Sequence, residues 1–246
     1  MPQKPTAKPS DTKVTQEQVA SDFDRLTASY EQDINQSLAF SGMEHQFFID
    51  KKRDKLIELA EQELGDASKL SVLDLGCGLG GYHLGLKDAF KELHGTDVSA
   101  ASVAMAAERH PWVSYTSYDG RRLPYEDGAF DVVFTITVMH HVPPEMWPAF
   151  TAEMHRVLKP GGLGLVFEHN PYNPATQYIV RSCEIDKDAV LLKPYETRRL
   201  FKDAGFSKIA TRTMFSVPPK GGFLTAVDIL FSHLPFGAQY YLKAVK

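Results

Sequence analysis

Cysteine is nearly absent: Cys77 and Cys183 are the only two in 246 residues. Two cysteines cannot build a disulfide framework, and no C-x-x-C pair is present to hold zinc or to run thiol–disulfide exchange. Long apolar runs are missing too. None approaches the roughly 18 residues that span a bilayer, and the first residues have no apolar stretch of the secretory kind. Positive charge is in short supply. There are 27 Lys and Arg against 31 Asp and Glu, a net charge of −4. The clusters Lys51-Lys52-Arg53, Arg121-Arg122 and Arg198-Arg199 are short and separate, so no basic stripe exists for a nucleic-acid partner. No internal repeat is found. These absences leave a globular chain suited to a reducing compartment. The cytoplasm is the expected location, with no stable membrane insertion.

What is present is enough for one substantial core, since 43% of residues are hydrophobic and chains of this length fold as one domain. Residues 1–14, rich in Lys, Pro, Thr and Ser, read as a disordered tail. Residues 15–246 read as a single domain. Within it, 15–65 carry helical periodicity at Val19, Phe23, Leu26 and Tyr30, then at Phe47, Leu56, Leu59 and Leu64. From Ser71 strands and helices alternate. Strands are expected at 71–75, 92–97, 113–118, 130–138 and 163–168, with two more near 207–216 and 239–245. Helices are expected near 79–90, from the N-cap Ser99 to Arg109, from Pro143-Pro144 to Leu158, and over Tyr195–Ala204. Pro160-Gly161-Gly162 is expected to stop the third of these. Repeated βα units imply a mostly parallel, seven-stranded sheet with helices on both faces. The apolar, aromatic stretch Phe223–Tyr241 is expected to pack into the core against the last strand.

The first strand ends in Val72-Leu73-Asp74-Leu75-Gly76-Cys77-Gly78-Leu79-Gly80-Gly81. Glycines there let a ligand lie against bare main chain. Asp97 comes 21 residues after Gly76, which places a carboxylate at the tip of the next strand, where a ribose diol would meet it. A nucleoside-containing cofactor is therefore expected. Gly76, Gly78 and Gly81 also satisfy the dinucleotide fingerprint, so an NAD-dependent oxidoreductase is the alternative. Asp74 argues against it, because a carboxylate inside the strand suits a cation rather than a pyrophosphate. Other polar strand ends fall on the same edge: Asp119-Gly120, the stretch Thr137–His141, and Glu168–Asn173.

The pattern Asp-x-Gly-x-Gly-x-Gly (Asp74, Gly76, Gly78, Gly80) resembles the first motif of the class I S-adenosylmethionine-dependent methyltransferases. "SDFDRLTASY" resembles their N-terminal helix over the cofactor, "ELHGTDVS" their second motif, and "YDGRRLPYEDGAFDVVFT" their adenine loop and fourth strand. "VMHHV" and "EMHRVLKPGGLGLVFEH" resemble the helix and strand after the site. The resemblance implies a Rossmann-like, doubly wound α/β fold with an N-terminal helical cap over residues 15–65. It implies S-adenosylmethionine as cofactor. Its ligands would be Asp74, Gly76, Cys77, Gly78, Gly80, Asp97, Val98, Asp119, Gly120, Thr137 and Tyr30. Asp97 would take the ribose, Asp119 the adenine amino group and Asp74 the amino-acid end. Cys77 would fill space in the turn.

The implied chemistry is in-line methyl transfer to a small-molecule acceptor, a glycan- or metabolite-like compound, with a hydroxyl oxygen favoured. A non-catalytic module that only binds the cofactor is a further alternative. Candidate general bases are His140, His141, His169 and Glu168, since imidazole titrates near neutrality. The segment 170–193 is long for a strand-to-helix connection and reads as a substrate loop or lid. Tyr172, Asn173, Tyr178, Arg181 and Tyr195 are its candidate acceptor contacts. No metal is expected, because His140 and His141 are adjacent and cannot share one face of a strand, and no H-E-x-x-H accompanies them.

Overall fold

A computed structural model describes residues 15–26, 45–183, 185, 186, 188–217 and 221–246. The tail 1–14 and Tyr30 lie outside the described residues. Among the described residues, two α-helices precede the sheet, α1 (Gln16–Leu26) and α2 (His45–Leu64). The strands are β1 (Ser71–Leu75), β2 (Glu92–Asp97), β3 (Ser114–Ser117), β4 (Phe130–Ile136), β5 (Leu158–His169), β6 (Ser207–Met214) and β7 (Gln239–Val245). Between them run α3 (His83–Leu86), α4 (Ala100–Arg109), α5 (Trp147–Val157), α6 (Pro174–Ser182), α7 (Pro194–Asp203) and α8 (Gly221–Phe231).

The sheet has seven strands in the order β3-β2-β1-β4-β5-β7-β6. All pairings are parallel except those of β7, which is antiparallel to β5 and to β6. This is the mixed, mainly parallel α/β sheet that the alternation of βα units predicts. Central parallel strands are buried on both faces and so read as continuous apolar runs. In β1 every residue is buried, Asp74 included. Because side chains alternate across a strand, Val72 joins the core on one face with Phe134, Leu165 and Leu56. Leu73 joins the other, with Val133, Val166, Met154 and Phe201. The chain leaves β1 for β2 and β3 on one side, then returns to β4 on the other. Ligands in such sheets bind beyond the strands' carboxyl ends at that reversal.

Four expectations are corrected. The helix expected near 79–90 is reduced to the single turn α3, because Gly80, Gly81 and Gly85 sit in or beside it and glycine costs up to about 1 kcal/mol per helical position. Pro160-Gly161-Gly162 does not separate helix from strand: β5 already begins at Leu158. Its register jumps from Phe130↔Leu158 to Val132↔Leu163, so these residues form a bulge, with Gly161 at φ 78°. The segment expected as loop contains α6, which Asn173 caps by accepting the Thr176 amide. The apolar stretch near the C-terminus joins the core only at its end, where Tyr240 is fully buried: Ile229, Leu230, Phe231, Leu234 and Phe236 are exposed. Helix α8 is instead docked by a polar contact, Asp228 accepting the Phe215 and Ser216 amides. Among the described residues, no helix is long and apolar enough to cross a membrane.

Phe134 is fully buried in the middle of β4. Phe134→Ala is expected to destabilise the chain by about 3–5 kcal/mol, read as a lower urea midpoint with an unchanged slope.

Candidate functional site

A cavity of about 840 Å³ opens at the carboxyl ends of β1, β2, β4 and β5. Helices α1 and α2 wall it on one side and α6 on another, through Gln16, Val19, Phe23, Ile49, Lys52, Thr176 and Ile179. Helix α1 is fastened there by Asp24, which accepts from Ser99 Oγ at 2.5 Å and from the Ala101 amide at 3.3 Å.

The turn after β1 is shaped by backbone geometry that only glycine tolerates cheaply. Gly76 has φ 83°, and a Cβ there would lie 2.5 Å from both methyl carbons of Val138. The turn is also braced by a buried set of side chains that the sequence reading did not single out. The Asp74 carboxylate accepts from His83 Nε2 at 3.0 Å, and the Tyr115 hydroxyl bonds His83 Nδ1. The two ends of this chain come from β1 and β3, with the single-turn α3 between them. A Cβ on Gly80 would strike both Tyr115 and His83, so Gly80 serves that brace and does not line the cavity.

Asp97 is buried and accepts the Gly78 amide at 2.8 Å and the Ser99 amide at 2.9 Å. Burial raises the pKa of both Asp74 and Asp97, against the hydrogen bonds that lower it, and Asp74 raises Asp97 further. No Lys or Arg pairs with either carboxylate among the described residues. Two buried carboxylates therefore face one cavity with little compensation, an arrangement that a cationic ligand relieves and a pyrophosphate aggravates. The donor set fits the S-adenosylmethionine expected from sequence: acidic acceptors, a glycine turn without side chains, and room for a nucleoside. It fits NAD poorly.

A second set of groups lies at the ends of β4 and β5. Thr137, directly after β4, is held at φ 55°, a conformation that costs a non-glycine residue about 1–3 kcal/mol. Glu168 accounts for its persistence. This carboxylate is fully buried at the end of β5 and accepts the Val138 amide at 3.0 Å and the Met139 amide at 2.7 Å. Its other oxygen accepts from His140 Nδ1 at 2.5 Å. Burial alone would raise the Glu168 pKa, but the His140 charge and hydrogen bond outweigh it and hold the group ionised. Glu168 is thus an organiser of the turn, with both oxygens engaged, and not the free base considered from sequence.

His140, His141 and His169 all line the cavity, with very different protonation. For His140, burial pulls the pKa down, yet Glu168 and Asp186 raise it to about 10. His140 is therefore cationic at neutral pH and no base there. For His169, burial and the neighbouring His140 cation push the pKa down to about 4, which leaves a neutral ring. His141 is lowered by the same two causes, against Asp186. The strand geometry that argued against a shared ligand role for the adjacent histidines does not hold. His140 and His141 sit in a 3₁₀ turn, Met139–His141, and their ring centroids are 4.1 Å apart.

Of the other expected residues, Asp74, Gly76, Cys77, Gly78, Asp97, Val98 and Thr137 line the cavity. Cys77 is buried and its thiol is pushed well up by burial, as befits a space-filler. Asp119 and Gly120 do not line the cavity. Asp119 accepts the Arg121 and Arg122 amides, and the Gln16 side chain lies so close over Gly120 that a Cβ would be 2.3 Å from it. The acceptor contacts expected in 170–193 are corrected. Tyr172, Tyr178 and Tyr195 are exposed, Asn173 caps α6, and Arg181 reaches back to Gln177. None of the five lines the cavity. For Tyr178 and Arg181 helical periodicity is the reason: the wall of α6 is Ala175, Thr176 and Ile179, continued by Cys183, Ile185 and Asp186. Lys52 was not anticipated at all. Its ammonium is buried beside the cavity, lies 5.7 Å from the Tyr82 ring centroid, and burial lowers its pKa to about 8 against the pull of Glu168.

Residues 72–162 match the sequence profile of a methyltransferase domain. An uncharacterized methyltransferase of a Synechocystis species is 31% identical over 49% of this chain and 57% of its own length. A phthiotriol/phenolphthiotriol dimycocerosates methyltransferase of Mycobacterium ulcerans is 33% identical over 44% of this chain and 40% of its own. The aligned region thus spans about half the length of these relatives. A solved structure from Thermotoga maritima, described as an S-adenosylmethionine-dependent methyltransferase and possible histamine N-methyltransferase, superposes with a TM-score of 0.65. It is 18% identical and covers 93% of this chain and 99% of its own.

Gly76→Ala tests the turn. Left-handed backbone costs an L-residue about 1–2 kcal/mol and overpacking about 1–3 kcal/mol more. Denaturant titration of Gly76→Ala, Val138→Ala and the double variant is expected to show partial recovery in the double variant, since only the clash is removed.

Proposed function

We propose that this class I S-adenosylmethionine-dependent methyltransferase carries out methyl transfer to a hydroxyl of a small-molecule acceptor that enters between α6 and the three histidines. One observation carries the reading: two buried, weakly compensated carboxylates, Asp74 and Asp97, share a cavity with neutral imidazoles. The cofactor, when bound, supplies an activated methyl group on a cationic sulfur. The chain's part is to hold two reactants in line, which is worth up to about 7–11 kcal/mol, and to accept a proton.

Asp97 would take the ribose diol through lone pairs left over from the Gly78 and Ser99 amides. Asp74, steadied by His83, would take the ammonium, and Lys52 the carboxylate, of the amino-acid end. Val98 and Tyr118 would flank the base. His169 is the general base in this reading, because it is neutral, lines the cavity and lies next to the His140 cation. His140 would stabilise negative charge that develops on the acceptor oxygen. The acceptor wall is apolar, made of Ala175, Ile179, Ile185 and Val217. It supports a largely apolar metabolite that presents a hydroxyl rather than a bare sugar. The segment 170–193 would then act through the inner face of α6.

Two outcomes are expected. Asp97→Asn removes a charged acceptor and sets an NH₂ against a backbone N–H. It should weaken S-adenosylhomocysteine binding by roughly 10–100-fold, from about 1.5–3 kcal/mol per charged hydrogen bond, in isothermal titration calorimetry. Unchanged affinity would remove the ribose assignment. Release of S-adenosylhomocysteine, monitored across phenols and hydroxylated lipids, should fall about 10²–10⁴-fold in kcat for His169→Ala with cofactor affinity intact. The wild-type rate should stay level from pH 6 to 8, because a base with pKa about 4 is already deprotonated there. An inflection near the ordinary imidazole value would point to another base.

A further inference from the structure

Beyond Glu168, the histidine cluster has a second carboxylate neighbour, and the spacing between them is unusual. Asp186 Oδ1 lies 3.4 Å from His141 Nε2 and 3.6 Å from His140 Nε2. These separations are long for direct hydrogen bonds, whose mode is about 2.9 Å. They match two ligand atoms that share an ion: at about 2.1 Å from a tetrahedral centre, two donors stand about 3.4 Å apart. One ligand atom from each of His140, His141 and Asp186 falls within 4.8 Å of the other two. We propose that His140, His141 and Asp186 bind one divalent transition-metal ion of the zinc and cobalt class.

The donor set selects the ion. Two imidazoles and one carboxylate favour zinc, cobalt, nickel or ferrous iron over magnesium or calcium, which prefer oxygen. The surroundings are those of a built site. His140 donates from Nδ1 to the buried Glu168 at 2.5 Å, which turns Nε2 toward Asp186. A carboxylate behind a ligating imidazole is the usual orienting partner. The backbone that carries Asp186 is pinned, since Val190 N donates to His140 O at 2.8 Å and Asp186 N donates to Cys183 O at 3.2 Å. Phe23 of α1 packs edge-on against His141, with centroids 5.0 Å apart. Charge is balanced as well: a 2+ ion offsets Glu168 and Asp186 and displaces the Nε2 proton of His140 to solvent.

All three residues line the cavity, and three protein ligands leave a position open toward it, as in sites that act on a bound oxygen. An ion there would hold the acceptor through its hydroxyl oxygen and favour loss of the hydroxyl proton to solvent. This goes beyond the methyl-transfer reading and does not depend on it, because metal uptake is measured without cofactor.

The test is titration of chelator-treated full-length protein with Co²⁺. One equivalent should produce visible d–d absorption, and Zn²⁺ should bleach it. His141→Ala and Asp186→Asn should each abolish the bands, and Glu168→Gln should weaken Co²⁺ binding by roughly 10–100-fold as an orienting partner. S-adenosylhomocysteine affinity, measured separately, reports whether each variant is folded and whether the cofactor reading holds. Should Asp186→Asn unfold, His141→Ala carries the comparison. A wild-type protein that develops no bands, or variants that keep them, would overturn the site.

Discussion

The buried carboxylate of Glu168 holds the working edge of this protein together. It stands at the end of β5, where a charged group without partners would cost several kcal/mol. Its partners are the two backbone amides and the imidazole that make up the turn after β4. This one residue therefore couples two strand ends, keeps Thr137 in a left-handed conformation, and aims His140. The cost of burying the charge is offset only while that turn keeps its shape. The shape and the charge stabilise each other.

Around this point the cavity is divided by charge. On the β1–β2 side, Asp74 and Asp97 are buried with no Lys or Arg partner among the described residues, His83 alone bonding Asp74, and invite a cation. On the β4–β5 side, His140 is cationic, and His141 and His169 are kept neutral by burial and by that same cation. A neutral imidazole beside a fixed positive charge is suited to take a proton from a group that becomes negative. Helix α1 closes over both halves, with Asp24 on the start of α4, Gln16 over Gly120 and Phe23 on His141. One short helix thus touches the sites expected for the nucleoside and for the acceptor.

Much of this was legible in the chain. Apolar and β-branched runs located β1 to β4 to within a residue or two, while β5 begins five residues before its expected start. The glycine turn with Asp74 and Asp97 pointed to a cationic nucleoside, and the adjacent histidines lay where the site is. What was misread has specific causes. Tyr172, Tyr178 and Tyr195 are aromatic and polar, but all three are exposed: Tyr178 is on the outer side of the nine-residue α6, which presents Ala175 and Ile179 to the cavity, while Tyr172 precedes that helix and Tyr195 belongs to α7. His83, Lys52 and Asp186 carried no signal, because each matters only through a partner distant in sequence. The aromatic C-terminal stretch looked like core, yet only its end, with Tyr240, is buried there, and Asp228 docks the helix α8 that precedes it.

The order of strand, turn and helix, and with it the edge where ligands meet the sheet, comes from local periodicity and from glycine's backbone freedom. Those properties belong to the sequence by itself. Protonation states and ligand geometry do not. They arise when Glu168, Asp186 and three imidazoles from β5, from the turn after β4 and from the segment after α6 are buried within a few ångströms of one another. Electrostatic energies at such distances depend on burial and separation, which no single stretch of chain encodes and which the tertiary fold decides.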